Sequence, residues 1–593
     1  MHFSASYLLV SREASPAADT EDVLLSFLDN DGAVVEAKRR FTTASFLAFV
    51  RTQEATRRDQ QAPRWVWDDT ASFYPNLLAA DVRVQRCYDL RLSHTILRNS
   101  SLTRKSALAV AEPGVWDASP AAARVIRETG TALFDLQVEL APAPDPAAEF
   151  ACQLAAVASS SEPRRIRLLL AAESAGALVA AEMRFAGLPW NTAAHEDLLA
   201  RELGPRVPYG VRPDRLEQLA GTIRTLLGEA TLNPDSQQDL LKALQNAGLQ
   251  YGGLPLLSTQ QWHLTEIDHP VIAPLLQYRK LSRLLSANGW SWLDAWIVEG
   301  RFHAEYLPGG VVTGRWAARG GGALQLPKQV RGAVVADPGW TFVVADAAQL
   351  EPRILAALSS DLAMARAGHG TDLYEGIVAS GVVETRAHAK VAMLGAMYGA
   401  TTGESGRLLP RLARAYPRAL GLTEDAARAG ERGDIVTTRL GRSSPRPSQA
   451  WMDAQAQAYA QSASNADERR ARSQARDWGR FTRNFVVQGS AAEWALCWMA
   501  EIRKQLWLLE DETLAGFGRS PAAGRGRGLF GDAPHLVFFL HDEVIVHTPI
   551  ALAGEVAAVV TGAAAAAGKL LFGTFPVDFP LTVATVQNYA DAK

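Results

Sequence analysis

A multidomain α/β fold, of the mixed α+β kind, is predicted for this chain by three features. Its 593 residues exceed what one hydrophobic core usually organises. β-prone runs open and close the sequence, and long stretches with apolar residues at helical spacing lie between them. Composition agrees: 48% of residues are hydrophobic and 21% charged, which excludes a fibrous or globally disordered chain. The net charge of −3 announces no polyanionic partner, but a large chain can still gather arginines in one cleft.

At the N-terminus, "ASYLLVS" and "DVLLSFLDNDGAVVEAKRRF" read as strands, the latter pair joined at Asn30-Asp31-Gly32. "PAPDPAAE", near residues 142–149, reads as a linker. Helices are expected in "EFACQLAAVA", "RIRLLLAAESAGALVAAEMRFAG" and "PLLQYRKLSRLLSA", where apolar residues share a face. Two Arg-rich segments, about 441–478 and 517–532, read as solvated loops, with phosphate contact as the second reading. Cys87, Cys152 and Cys497 are far apart in sequence, so neither a disulfide framework nor a structural zinc site is expected, and a reducing cytoplasm fits. The opening "MHFSASYLLVSREASP" has too short an apolar run for a signal peptide or a span, and no membrane partner is expected.

Four segments carry chemistry. In "TFVVADAAQLEPRILAAL" a strand-like run meets an amphipathic helix at Asp346, a junction that fixes a carboxylate yet leaves it accessible; a helix cap is the plainer alternative. In "RAHAKVAMLGAMYGA", Arg386, Lys390, Leu394 and Tyr398 recur every four residues, each step drifting about 40° around a helix. That face offers two cations, an apolar side chain and a ring, suited to gripping phosphate and stacking a base or sugar. A surface helix with snorkelling cations is the alternative. Arg480, Asn484 and Gln488 repeat the spacing in "GRFTRNFVVQGSAAEWA" and offer donors to a nucleic-acid backbone or base edge. Finally, "HLVFFLHDEVIVHTP" reads as a tight hairpin with His541, Asp542 and Glu543 at its tip.

In this order the four resemble family A DNA polymerases, the DNA polymerase I family. "DAAQLEPR" resembles motif A, "RAHAKVAMLGAMYG" motif B and "LHDE" motif C, with support from "VVTGRWA", "QYRKL" and "AAEMRFAG". The resemblance implies a right-hand fold over residues 136–593: palm and thumb about 150–345, fingers about 350–440, palm again about 478–593. It implies that Asp346, Asp542 and the Ala347 carbonyl hold two Mg²⁺ (or Mn²⁺) ions about 3.5–4 Å apart. Glu543 would assist from behind the metal ligands or touch the primer end. Arg386 and Lys390 would grip a deoxynucleoside triphosphate, Lys390 also protonating the leaving group; Gln349, Leu394 and Tyr398 would line the nucleotide. Glu351 would be a steric gate against a ribose 2′-hydroxyl. Arg315, Arg480, Asn484, Gln488, His541, Tyr278 and Arg279 would hold primer–template DNA. A monomer at the nucleoid is implied.

The chain departs from the pattern at Ala347-Ala348, Pro352, Leu394 and Tyr374. Residues 1–135 resemble, more distantly, an RNase H-like 3′–5′ exonuclease domain, with Asp89 in a D-x-x-L position. The first strand offers only Glu13, so this domain is expected to be inactive, and the length leaves no room for the family's 5′-nuclease. Two other readings stay open: a single-subunit RNA polymerase, opposed by Glu351, and a catalytically silent DNA-binding relative.

Overall fold

The computed structural model describes residues 5–14, 21–56, 63–118, 145–400, 403–516 and 529–592. Contacts divide the chain into two units. The first holds residues 1–186, 306–318 and 343–585; the second holds 187–305, 319–342 and 586–593.

Unit one opens with β1 (Tyr7–Ala14), β2 (Glu21–Leu28) and β3 (Val34–Phe41), an antiparallel meander turned at the predicted Asn-Asp-Gly, where Gly32 is left-handed at φ 84°. Helix α1 (Thr43–Thr56) leads to β4 (Arg64–Trp67), which pairs parallel with β1. Helix α2 (Thr70–Ala79) then leads to β5 (Cys87–Asp89), parallel to β4. The sheet order is β3-β2-β1-β4-β5. Alternation places Leu8, Val10, Leu25 and Phe27 in one core with Phe46, Val50, Trp65, Trp67 and Tyr74. Asp89 starts α3 (Leu90–Asn99). The expected linker is partly helix: Asp145 caps α4 (Pro146–Ala158) by accepting from Ala147 and Ala148 N–H, and Pro146 suits the first helical turn. Helix α5 (Pro163–Ala186) follows.

A second sheet carries the functional segments. Its strands are β6 (Trp340–Ala347), β7 (His535–Leu540), β8 (Glu543–Pro549) and β9 (Leu581–Val586), ordered β7-β8-β6-β9. Strand β6 is central and almost wholly buried, which explains its unbroken run Trp-Thr-Phe-Val-Val-Ala. Around it stand α6 (Leu350–Ser359), α7 (Leu373–Ala379), α8 (Arg386–Tyr398), α9 (Pro417–Glu431), α10 (Asn465–Gly516) and α11 (Ala553–Phe572).

One expectation needs correction here. Much of residues 441–478 is helix rather than loop: Gln449–Ala458 is one helix, capped by Ser448, and α10 runs from Asn465 for 52 residues. The Ala, Gln and Arg content that read as solvation is also high in helix propensity. Most of the second Arg-rich segment, 517–528, lies outside the described residues. Also, residues 550–572 do form an apolar helical stretch long enough to cross a membrane. One face of α11 packs inward, and Trp498 Nε1 donates to the Val560 carbonyl at 3.1 Å.

Unit two is mainly helical. Its aromatic core joins Trp190, His195, Trp292 and Phe302. Helix Ile272–Asn288 supplies Tyr278 and Arg279.

Candidate active site

The end of β6 and the tip of the β7–β8 hairpin meet through a backbone bond. Ala347 N–H donates to the Asp542 carbonyl at 2.9 Å. Asp346 lies at that strand end and Asp542 in the adjoining hairpin turn, both partly exposed. His541 adopts a left-handed φ of 60°, which lets two residues close the turn. Glu543 differs from its neighbours: it begins β8 and is 2% exposed, so its carboxylate faces protein.

The donor set suits Mg²⁺, which accepts one or two protein carboxylates and completes its shell with water and substrate phosphates. Two Asp and the Ala347 carbonyl supply that much. Among the described residues no group of three or more His, Cys, Asp or Glu is arranged as a metal site.

Glu351, in the first turn of α6, ties three segments together. Arg315 Nη2 donates to its Oε1, and Tyr398 Oη donates to its Oε2 at 2.5 Å. Tyr398 is held above its ordinary pKa, at about 12, by burial and then by the Glu351 carboxylate; Gln488 bonds the same hydroxyl. Burial and the Arg315 guanidinium hold His541 below the usual imidazole range. Arg480 pairs with Asp477, and its stem crosses Gly399, where an added Cβ would lie 3.1 Å from Arg480 Cγ. Asn484 Oδ1, one turn on, is buried without a hydrogen-bond partner. Residues from four sequence segments are thus gathered around Tyr398.

Helix α8 presents Arg386, Lys390, Leu394 and Tyr398 as the spacing predicted, with Lys390 exposed and Leu394 half-buried. Arg386 Nη2 donates to Asp372 Oδ2 at 2.8 Å and lies over the Tyr374 ring at 5.4 Å. Gln349 Nε2 donates to the same Asp372 oxygen at 2.9 Å. Gln349 is itself left-handed, φ 49°, an uncommon conformation for a side chain of its size. Beneath it Arg353, 2% exposed, donates to the carbonyls of Ala348, Gly368 and Thr371 and to Asp578 Oδ1 at 2.7 Å.

Sequence reasoning missed Asp372 and Arg353. Asp372 opens a D-x-x-E capping pattern in "DLYE" and accepts from Tyr374 and Glu375 N–H, which was the available signal. Tyr278 needs correction as a DNA contact. It and Arg279 both lie in unit two. Tyr278 is 1% exposed and donates to Asp235 Oδ2 at 2.7 Å, while Arg279 donates to the Thr259 carbonyl. The Tyr278 hydroxyl is thus used inside that unit, while Arg279 is half-buried with Nη1 engaged there. In the N-terminal sheet, Asp89 is 1% exposed and accepts from Leu92 N–H at 2.9 Å and Thr70 N–H at 2.7 Å. Burial and then Asp69 push its carboxyl up to about 7. It caps α3; the Glu13 side chain lies outside the described residues.

Comparison with known proteins gives the following. The sequence model of DNA polymerase family A matches residues 212–591. DNA polymerase I of Chloroflexus aurantiacus is 32% identical over 171 residues, covering 26% of this chain and 18% of that protein. The thermostable DNA polymerase I of Thermus filiformis is 26% identical over 447 residues, 67% of this chain and 47% of that one. The chain thus spans less than half the length of these curated relatives. Among solved structures, the polymerase domain of Pol1 from M. smegmatis, in complex with DNA primer–template and dNTP, superposes with a TM-score of 0.64. That match is 18% identical and covers 100% of this chain and 97% of the other.

Proposed function

The chain belongs to DNA polymerase family A, and we propose on that premise that it extends the 3′-hydroxyl of a DNA primer with deoxynucleoside triphosphates, copying a template strand. The observation that carries this reading is the bond of 2.9 Å from Ala347 N–H to the Asp542 carbonyl, which ties the strand end bearing Asp346 to the hairpin turn bearing Asp542. The right-hand polymerase fold is the setting.

Asp346, Asp542 and the Ala347 carbonyl would hold the Mg²⁺ ions, which supply positive charge to the reacting phosphoryl oxygens when bound. The remaining work falls to side chains. Arg386 leaves Asp372 for the triphosphate, an exchange of one anion for a stronger one. Lys390, one turn along and exposed, is placed to give a proton to the departing pyrophosphate. Glu351, immobilised from both sides by Arg315 and Tyr398, crowds the position of a ribose 2′-hydroxyl, and this favours deoxyribonucleotides over the RNA polymerase alternative. Arg480, Asn484, Gln488 and His541 would hold the primer–template duplex. The Asp89 arrangement supports an N-terminal sheet without proofreading activity. The enzyme would act as a monomer in the cytoplasm.

Primer extension with Mg²⁺ tests the proposal. The wild type should add deoxynucleotides and scarcely any ribonucleotides. Asp346→Asn and Asp542→Asn should each bind duplex and lose extension. Retention of more than about a tenth of wild-type kcat, a barrier increase under about 1.4 kcal/mol, would refute the assignment of that carboxylate.

A further inference from the structure

Beneath the turn that carries Arg315 lies a buried ionic cluster to which phosphoryl transfer gives no role. Glu173 comes from α5 and Glu493 from α10; each is 1% exposed. Arg442 comes from the segment between α9 and α10. Its Nη2 donates to Glu173 Oε1. Glu493 accepts from the Thr438 hydroxyl and, at 2.8 Å, from Leu440 N–H. Thr438 N–H donates to the Arg442 carbonyl at 2.9 Å, so the segment folds back on its own arginine.

The Arg315 turn is shaped around that guanidinium. Gly314 is left-handed at φ 87°, and a Cβ on it would stand 2.4 Å from Arg442 Nε. A Cβ on Gly309 would lie 3.5 Å from Glu173 Oε2. On α10, a Cβ on Gly489 would come within 2.9 Å of the Thr313 carbonyl. Gly314 and Gly489 therefore let the backbone close on Arg442 and on α10, where any side chain would hold it away. Inside the turn, Gly314 N–H donates to Val311 at 2.7 Å and Val311 N–H to Arg315 at 3.1 Å. These bonds set the direction in which the Arg315 side chain leaves.

We propose that Arg442 is a positioning residue: held by Glu173 and flanked by Glu493, it fixes the Gly314 backbone so that Arg315 reaches Glu351, and it thereby governs sugar selection without touching the nucleotide. This rests on the reading of the site as a polymerase. Glu173 holds the cation from below, Glu493 ties down the segment that carries it, and the glycine turn rests against its guanidinium. Lysine keeps the charge but has no flat guanidinium for the turn to rest on.

The test is a double-mutant cycle on Arg442→Lys and Arg315→Ala, with Gly314→Ala as an independent way to separate turn and guanidinium. Folding is checked by thermal unfolding, and rates are scaled to titrated active sites. Arg442→Lys should lower the preference for deoxy- over ribonucleotides about tenfold, Gly314→Ala should do the same, and neither should add to the loss in the Arg315→Ala background. Multiplying effects, or a lowered melting temperature with unchanged sugar preference, overturns the proposal. If the wild type extends no primer, the polymerase reading fails instead. The positioning claim is then judged on a crystal structure of Arg442→Lys, where Arg315 still bonded to Glu351 would overturn it.

Discussion

Leu394 sits one helical turn beyond Lys390 on α8, half-buried, on the face shared with Tyr398. A leucine there has no hydroxyl to replace the 3′-hydroxyl missing from a dideoxynucleotide, and a hydrogen bond to a charged partner is worth about 1.5–3 kcal/mol. Leu394→Tyr should therefore accept dideoxynucleotides about tenfold better relative to deoxynucleotides, as read by single-nucleotide insertion kinetics. An active variant with an unmoved ratio would place Leu394 away from the sugar. Glu351→Ala should raise ribonucleotide insertion and lower deoxynucleotide insertion somewhat, because it opens the gate and also frees Arg315 and Tyr398. Equal sugar discrimination in variant and wild type would put the gate elsewhere. At this scale the sequence was informative wherever a side chain sat at a predictable strand end or helix face, as Asp346, Asp542 and the α8 quartet do. Asp372 escaped because its capping pattern looks purely local. Tyr278 was misjudged because burial depends on contacts that spacing does not reveal.

The elements were legible in proportion to their periodicity. The β7–β8 hairpin and the burial of β6 follow from apolar runs, whereas the Ala-rich start of α10 has no apolar stripe to betray it. Asp89 shows what an element can demand of a carboxylate. It ends β5, caps α3 and accepts from Thr70 as well. Its folded pKa of about 7 stands above the ordinary 3.8, so the fold favours the protonated form. That contribution is complete below pH 3.8 and is lost as pH rises through about 7; Glu493, also pushed up to about 7, acts in the same direction. The melting temperature should fall between about pH 4 and about pH 7 and level off above that, and Asp89→Asn should flatten part of that slope while leaving primer extension intact. A slope identical in the variant would remove Asp89 from the account.

At the scale of the whole molecule, the sequence suggested a boundary near residue 135, yet residues 1–186 share one contact unit with 343–585. The tie is polar and buried. Arg503 of α10 donates to Glu182 of α5 through Nε at 3.0 Å and Nη2 at 2.7 Å, and to the carbonyls of Val84 and Gln85 beside β5. Tyr74 Oη donates to Glu182 at 2.7 Å. Contacts across 321 positions leave no local pattern, which is why no reading of the chain could find them. Arg503→Met should cost about 3 kcal/mol of unfolding free energy in denaturant titration, since buried Glu182 then keeps only Arg83 and the Tyr74 hydroxyl. Glu182, held down at about 2 against an ordinary 4.5, contributes stability that should vanish as pH falls through that window, and Glu182→Gln should lack this acid-side loss. With Mg²⁺ and no nucleotides, a mismatched 3′ end should survive intact; its removal by wild type but not by Asp89→Ala would restore proofreading to the first sheet. The Arg503 tie also bears on how such a chain descends. A segment relieved of chemical duty can drift at its surface, one codon at a time. Its outright loss is another matter: the first descendant without it would carry a buried Arg503–Glu182 pair stripped of two carbonyl acceptors and the Tyr74 hydroxyl. Selection can rewrite that sheet, but it meets a barrier at the first step towards discarding it.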